Sequence, residues 1–153
     1  MKMGAYKYIS NAWNKRSTSA LDVTLRQNAI GWRHEPSILR IPHPTRIDRA
    51  RRLGYRAKQG FVIARVRIRK GGARKIRPSS GRRPKALGVV KFTRAKSLKQ
   101  IAEDRTARKF PNLKALNSYW VYEDGRSAWF EVVLVDKSHP VTQTDPHLRL
   151  SQD

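Results

Sequence analysis

The chain has 153 residues, 34 of them Lys or Arg against 11 Asp or Glu, for a formal net charge of +23. The length suits one domain with its own core, and the lack of cysteine excludes a disulfide framework and thiolate zinc sites. No apolar run approaches the ~18 residues of a membrane span and no secretory leader is visible, which predicts a soluble intracellular protein whose charge selects a polyanionic partner.

The charge is concentrated. Residues 1–39 hold six basic and two acidic side chains. Residues 40–96 hold twenty basic residues and one acid, Asp48, while residues 97–153 hold eight of each sign. A surface built only for solubility would mix the signs throughout. The expected division is therefore 1–35 as N-terminal helices, 36–96 as a basic binding segment, 97–136 as a helix plus hairpin core, and 137–153 as an extended polar tail.

Tyr6, Ile9 and Trp13 recur at helical spacing and predict a first helix, docked on the core or offering aromatics to bases. Leu21, Leu25, Ala29 and Trp32 predict a second, ending before Pro36 because the residue before a proline is pushed out of the α region. Pro36, Pro42 and Pro44 make 36–44 an extended connector. Its Arg40, together with Arg46, can lie along a phosphate backbone.

Thr45 is placed as an N-cap with Asp48 in the capping-box position. Ile47, Ala50 and Leu53 then face the core, and Arg49, Arg52 and Arg56 face elsewhere. Gly54 sits where a left-handed residue ends a helix. Guanidinium is suited to phosphate because its planar fork makes paired hydrogen bonds and stays charged. The other reading is a solvated basic face.

Residues 61–69, FVIARVRIR, alternate as a strand with Val62, Ala64, Val66 and Ile68 on one face and Arg65, Arg67 and Arg69 on the other. Three adjacent arginines on an outward face call for a polyanion across them; the alternative is an edge strand kept soluble by charge. The following loop, 70–88, contains Lys70, Arg74, Lys75, Arg77, Arg82, Arg83 and Lys85 with four glycines, two prolines and no acid. It has too little to bury to offset its own ordering entropy, so it is expected to be mobile alone and ordered on RNA.

A short strand is expected at 89–92. Ser97 and Gln100 form a capping box for a helix with Leu98, Ile101 and Ala102 inward and ion pairs Lys99–Glu103 and Asp104–Arg108 outside. A hairpin follows, turning at Asp124-Gly125. The two-residue turn pairs Trp120 with Trp129 and Tyr119 with Phe130. Both faces of the hairpin are apolar, which predicts helices on both sides. The expected fold class is α+β: a small antiparallel sheet flanked by helices, with N-terminal helices and extended basic loops.

No catalytic group assembles. The histidines His34, His43, His139 and His147 lack ligand spacing, Gly71-Gly72 lacks the Lys-Ser/Thr of a phosphate loop, and no zinc finger or basic zipper is present. The protein is read as not an enzyme and as needing no cofactor, with Mg²⁺ entering only through bound RNA.

The run DRARRLGYRAKQGFV at 48–62, followed by Arg67-Ile68, resembles the signature of the large-ribosomal-subunit protein family numbered fifteen in archaea and eukaryotes (the L15e family). GAYKYI at 4–9, LNSYWVYEDG and WFEVVLVD are also similar to that family, and the likeness spans roughly residues 3–146, closest to archaeal members. The resemblance implies a structural protein of the large subunit in the cytoplasm, partnered by 23S-type rRNA and neighbouring ribosomal proteins. It implies RNA contact by Arg49, Arg51, Arg52, Arg56, Lys58 and Gln59, and a loop 70–88 threaded into RNA. Family members usually continue in a basic, glycine-rich tail, where this chain reads PHLRLSQD. The other readings are a free RNA-binding assembly factor and a DNA-coating protein. RNA is favoured because phosphates and 2′-hydroxyls suit a basic strand and loop, while few apolar wedges for DNA base steps lie in 40–96.

Overall fold

The computed structural model describes residues 4–15, 20–72, 74–89, 93–145 and 148. In chain order the elements are α1 (Ala5–Asn14), α2 (Ala20–His34), β1 (Ile38–Ile41), α3 (Ile47–Arg52), β2 (Phe61–Arg69), a 3-10 turn at Pro84–Ala86, α4 (Leu98–Lys109), β3 (Leu113–Glu123), β4 (Ser127–Asp136) and α5 (Pro140–Gln143). The four strands form one antiparallel sheet in the order β1-β2-β4-β3. This is the α+β architecture that the apolar periodicities imply.

The sheet is covered on both faces, so β4 is apolar through most of its length, whereas β2 carries three arginines on one face. One cluster joins Trp13, Leu25, Ala29, Trp32 and Ala50 of the first three helices to Phe61, Ile63, Trp129, Val133 and Val135. The other joins Ala102 of α4, with Leu98 and Ile101 beside it, to Ala64, Val66, Ile68, Phe130, Val132 and Leu134. Ser97 Oγ caps α4 by accepting from the Gln100 amide at 3.2 Å, as its spacing predicts.

Four expectations change. The connector 36–44 is extended, but Ile38–Ile41 is also the edge strand of the sheet, pairing with Ile63–Val66. Strand β2 is therefore internal, not an edge. The hairpin turns at Gly125-Arg126, with Asp124 N–H donating to the Ser127 carbonyl at 2.9 Å, and its pairing begins Glu123↔Ala128 and Tyr122↔Trp129. Register shifts between Ala115/Asn117 and Trp120/Tyr122 then bring Trp120 opposite Phe130 and Tyr119 opposite Glu131. A single extra residue reverses which face a strand's side chains meet, so Tyr119 and Val121 join Trp129 under the N-terminal helices while Trp120 joins the α4 face. After Asp136 the chain makes the short helix α5, capped by His139 Nδ1 accepting from the Val141 amide at 3.2 Å, rather than staying extended. Val89 is described without regular structure, and the remainder of the strand expected at 89–92 lies outside the described residues.

Gly60 explains why α5 can dock. Its φ is +85°, and a Cβ there would stand 2.5 Å from Thr142 Cγ2. Thr142 is buried, and Gly60 accepts the Asp136 amide at 2.9 Å. Only glycine meets both the backbone angle and the close approach.

Candidate nucleic-acid interface

The basic segment is rooted in a buried polar junction. Glu131 lies on β4 inside an apolar run and is 0% exposed. Its carboxylate accepts from the Thr45 amide at 3.0 Å, from the Thr45 hydroxyl and from the Tyr119 hydroxyl. Burial pushes the Glu131 carboxyl above its ordinary value, and the hydroxyl and amide donors with the Arg65 charge oppose that shift. Burial and the neighbouring Glu131 charge raise Tyr119 as well, so its hydroxyl holds its proton and donates.

Thr45 is thus held by Glu131 and does not cap α3. The residue at the cap is Arg46, which makes no side-chain cap bond. Asp48 is buried and pairs with Arg46 Nε at 3.2 Å. The Arg46 guanidinium also lies 5.0 Å from the centre of the Trp13 ring. The capping-box residues exist, but distant Glu131 has taken the polar groups of Thr45, and Asp48 pairs with Arg46 two residues before it. Ala50 is buried, Ile47 and Leu53 pack partly against the same core, and Gly54 ends the turn at φ +96°, as the helical spacing predicts.

Arg65 and Arg67 do not face outward. Their face of β2 is the one covered by the N-terminal helices, with Arg65 opposite Glu131 and Arg67 opposite Trp129 in the ladder. Arg65 pairs with Glu35 at 2.6 Å, lies 4.4 Å from the Trp32 ring centre and has only 11% of its side chain exposed. Arg67 donates to the carbonyls of Trp32 and Arg33, two of the acceptors that a helix C-terminus leaves open. The repulsion expected of three parallel arginines is relieved inside the protein by an acid, an indole and a helix end. Only Arg69 is exposed.

The candidate residues therefore divide. Besides Arg46, Arg65 and Arg67, Lys70 reaches Glu123 at 3.0 Å and the Asp124 carbonyl at 3.1 Å. Lys58 is 3.8 Å from the buried Asp145. Arg51 donates to the Tyr6 hydroxyl and lies over its ring, and Arg77 reaches the Leu87 carbonyl at 3.0 Å. Lys75 is exposed on the loop. Arg40, Arg49, Arg52, Arg56, Gln59, Arg69, Arg74, Arg82, Arg83 and Lys85 are exposed, and no side-chain hydrogen bond or ion pair holds them among the described residues. Apart from Ala73, the described 70–88 segment has only the Pro84–Ala86 turn as regular structure and leaves Ile76 91% exposed.

A family model described as Ribosomal L15, of the L15e form, matches residues 4–151. The chain belongs to the ribosomal L15e family. It is a large-subunit ribosomal protein, RNA-binding and working in translation, located in the large ribosomal subunit in the cytoplasm. The family is structural rather than enzymatic, and large-subunit rRNA and other ribosomal proteins are its partners. No helix among the described residues is long and apolar enough to cross a membrane.

Within this ribosomal protein, several basic residues outside the segment 40–96 join the exposed set. Arg33, Arg105 and Arg126 share one cleft with Arg67 and Arg69 at the end of the sheet. Asp124 at its edge pairs with Arg33 at 2.8 Å. Burial would raise Asp124, but the Ser127 and Arg126 amides and Arg33 outweigh it and hold the carboxyl below its ordinary range. The balanced charge of residues 97–153 conceals Arg105 and Arg126, because their placement beside Arg33 depends on the fold. Glu131 had a visible signal: a lone acid within the apolar run WFEVVLV.

Proposed function

We propose that this ribosomal protein stabilises 23S-type rRNA by phosphate contacts along one basic face, with Arg49, Arg52 and Arg56 beside α3, Arg40 and Arg69 near the sheet, and loop 70–88 reaching beyond it. Arg51, Lys58, Gln59, Lys70, Lys75 and Arg77 complete the face, while Arg46, Arg65 and Arg67 support it from within. The observation that carries this reading is the division of the arginines. Asp48, Glu131, Glu35 and Asp145 are engaged with the roots of this segment, so they do not neutralise its exposed guanidinium groups. Charge on a folded support favours bidentate phosphate contact at low entropic cost. The protein needs no cofactor of its own in this reading, and Mg²⁺ arrives with the RNA.

Binding of the full chain to large-subunit rRNA across a salt series tests the proposal. About ten phosphate contacts give a slope of log K against log salt of roughly −7 to −9. A slope shallower than about −3 sinks the phosphate-face reading. Competition by duplex DNA at equal strength would favour the DNA-coating alternative, and failure to co-sediment with large subunits in high salt would favour a free assembly factor.

A further inference from the structure

A cleft among the described residues lies where β2 ends, between the start of the basic loop, residues 93–96 and α4. It has a volume of about 620 Å³, within the roughly 300–1,000 Å³ of small-molecule sites. Ile68, Leu98 and Ile101 line it, along with six cations and no acid. Arg94, beyond the far end of the loop, donates to the Gly71 carbonyl at its start. Arg69 and Arg105 also line the neighbouring cleft of about 600 Å³, which lacks an apolar side chain.

A phosphate alone has no use for an apolar lining. A nucleobase does, because its faces are apolar and stack on guanidinium planes as well as on aromatic rings. Two clefts share a wall of arginines, one with an apolar lining and one polar, where five arginines outnumber the single acid Asp124, itself paired with Arg33. We propose that the first holds an unstacked RNA base and the second the phosphate next to it, with Arg69 and Arg105 between them. Neither Arg105 nor Arg94 belongs to the phosphate face above. The inference rests on RNA binding by that face and adds contact with a base.

Two synthetic RNA hairpins test it, identical except that one carries a single bulged adenine. The full chain should bind the bulged hairpin about tenfold more tightly, as one stacked base is worth. Leu98→Trp fills the cleft without changing charge and should abolish the preference while keeping both the affinity for the unbulged hairpin and the salt slope. Arg105→Gln is the second variant, informative even if Leu98→Trp fails to fold by circular dichroism. It should reduce the preference and make the slope shallower by about 0.7–0.9. Equal affinity of the wild-type chain for both hairpins, with a steep salt slope, overturns the base site and leaves the phosphate face standing. A preference that survives in folded variants also overturns it. Weak binding of both hairpins with a shallow slope would overturn the phosphate face itself. Poly-glutamate binding that Leu98→Trp removes, without any bulge preference, would assign the cleft to an acidic peptide and overturn the base site.

Discussion

Arg65 and Arg52 belong to the same basic segment yet do different work, and their difference is measurable. Arg65 is held between Glu35, Glu131 and the Trp32 ring. Arg65→Ala leaves carboxylates uncompensated in a largely buried site, so it should cost about 3–5 kcal/mol of stability, read from denaturant midpoints. Arg52 is exposed without a side-chain partner among the described residues. Arg52→Ala should change stability by no more than ~0.5 kcal/mol and make the salt slope of RNA binding shallower by about 0.7–0.9. Strand alternation revealed which face holds Arg65 but not that a helix covers it, since that depends on where α2 packs. Glu131 adds a pH signature. Its folded-state carboxyl is raised above the ordinary value of 4.5, so the folded state holds its proton more tightly than the unfolded chain does. Its contribution is fully present below pH 4.5 and lost as pH rises through the raised value. Glu131→Gln removes that loss, and its stability relative to wild type should improve as pH rises from about 4 upward. Melts showing the same difference between the two proteins at every pH would refute this.

Elements were legible where local periodicity and burial agree. Helix α2 was visible because Leu25, Ala29 and Trp32 repeat on one side and all three are buried. Helix α4 was visible because its cap and apolar side are encoded within a few residues. The hairpin was legible as an element but not in register, because the irregularities near Leu116 and Val121 follow from packing both faces of β3, which no turn rule reports. The α3 cap was misplaced for a related reason: Glu131, distant in sequence, competes for Thr45. The docking of α5 was hidden too, since it depends on a glycine before β2 meeting a threonine after β4. Gly60→Ala tests that contact. It combines an unfavourable positive φ with a collision at Thr142 and should cost ~2–3 kcal/mol, read by chemical denaturation. Gly72→Ala, which also has a positive φ but nothing within 4 Å of the added Cβ, should cost less; an equal loss would show that backbone strain alone is responsible.

For the molecule as a whole, charge acts in opposite directions on folding and on binding. The chain holds a formal +23, and three of its acids, Asp48, Glu131 and Asp145, are buried. The outer surface of the folded protein is consequently poorer in negative charge than the composition suggests. Like charges crowded on one compact body oppose folding, and salt screens them over about 10 Å at 0.1 M and about 3 Å at 1 M. The free chain should therefore melt at a higher temperature as sodium chloride rises from about 0.05 to about 0.5 M, gaining about 2–4 °C for each ~1 kcal/mol of repulsion relieved. The complex with rRNA should respond the other way, because the same salt weakens phosphate contacts and reduces the stabilisation that a bound ligand confers on the folded state. Melting curves of the chain alone and with rRNA should converge as salt increases. If the free chain loses stability with salt, internal pairs such as Arg65–Glu35 outweigh the repulsion among exposed arginines, and the surface charge is better compensated than its arrangement implies.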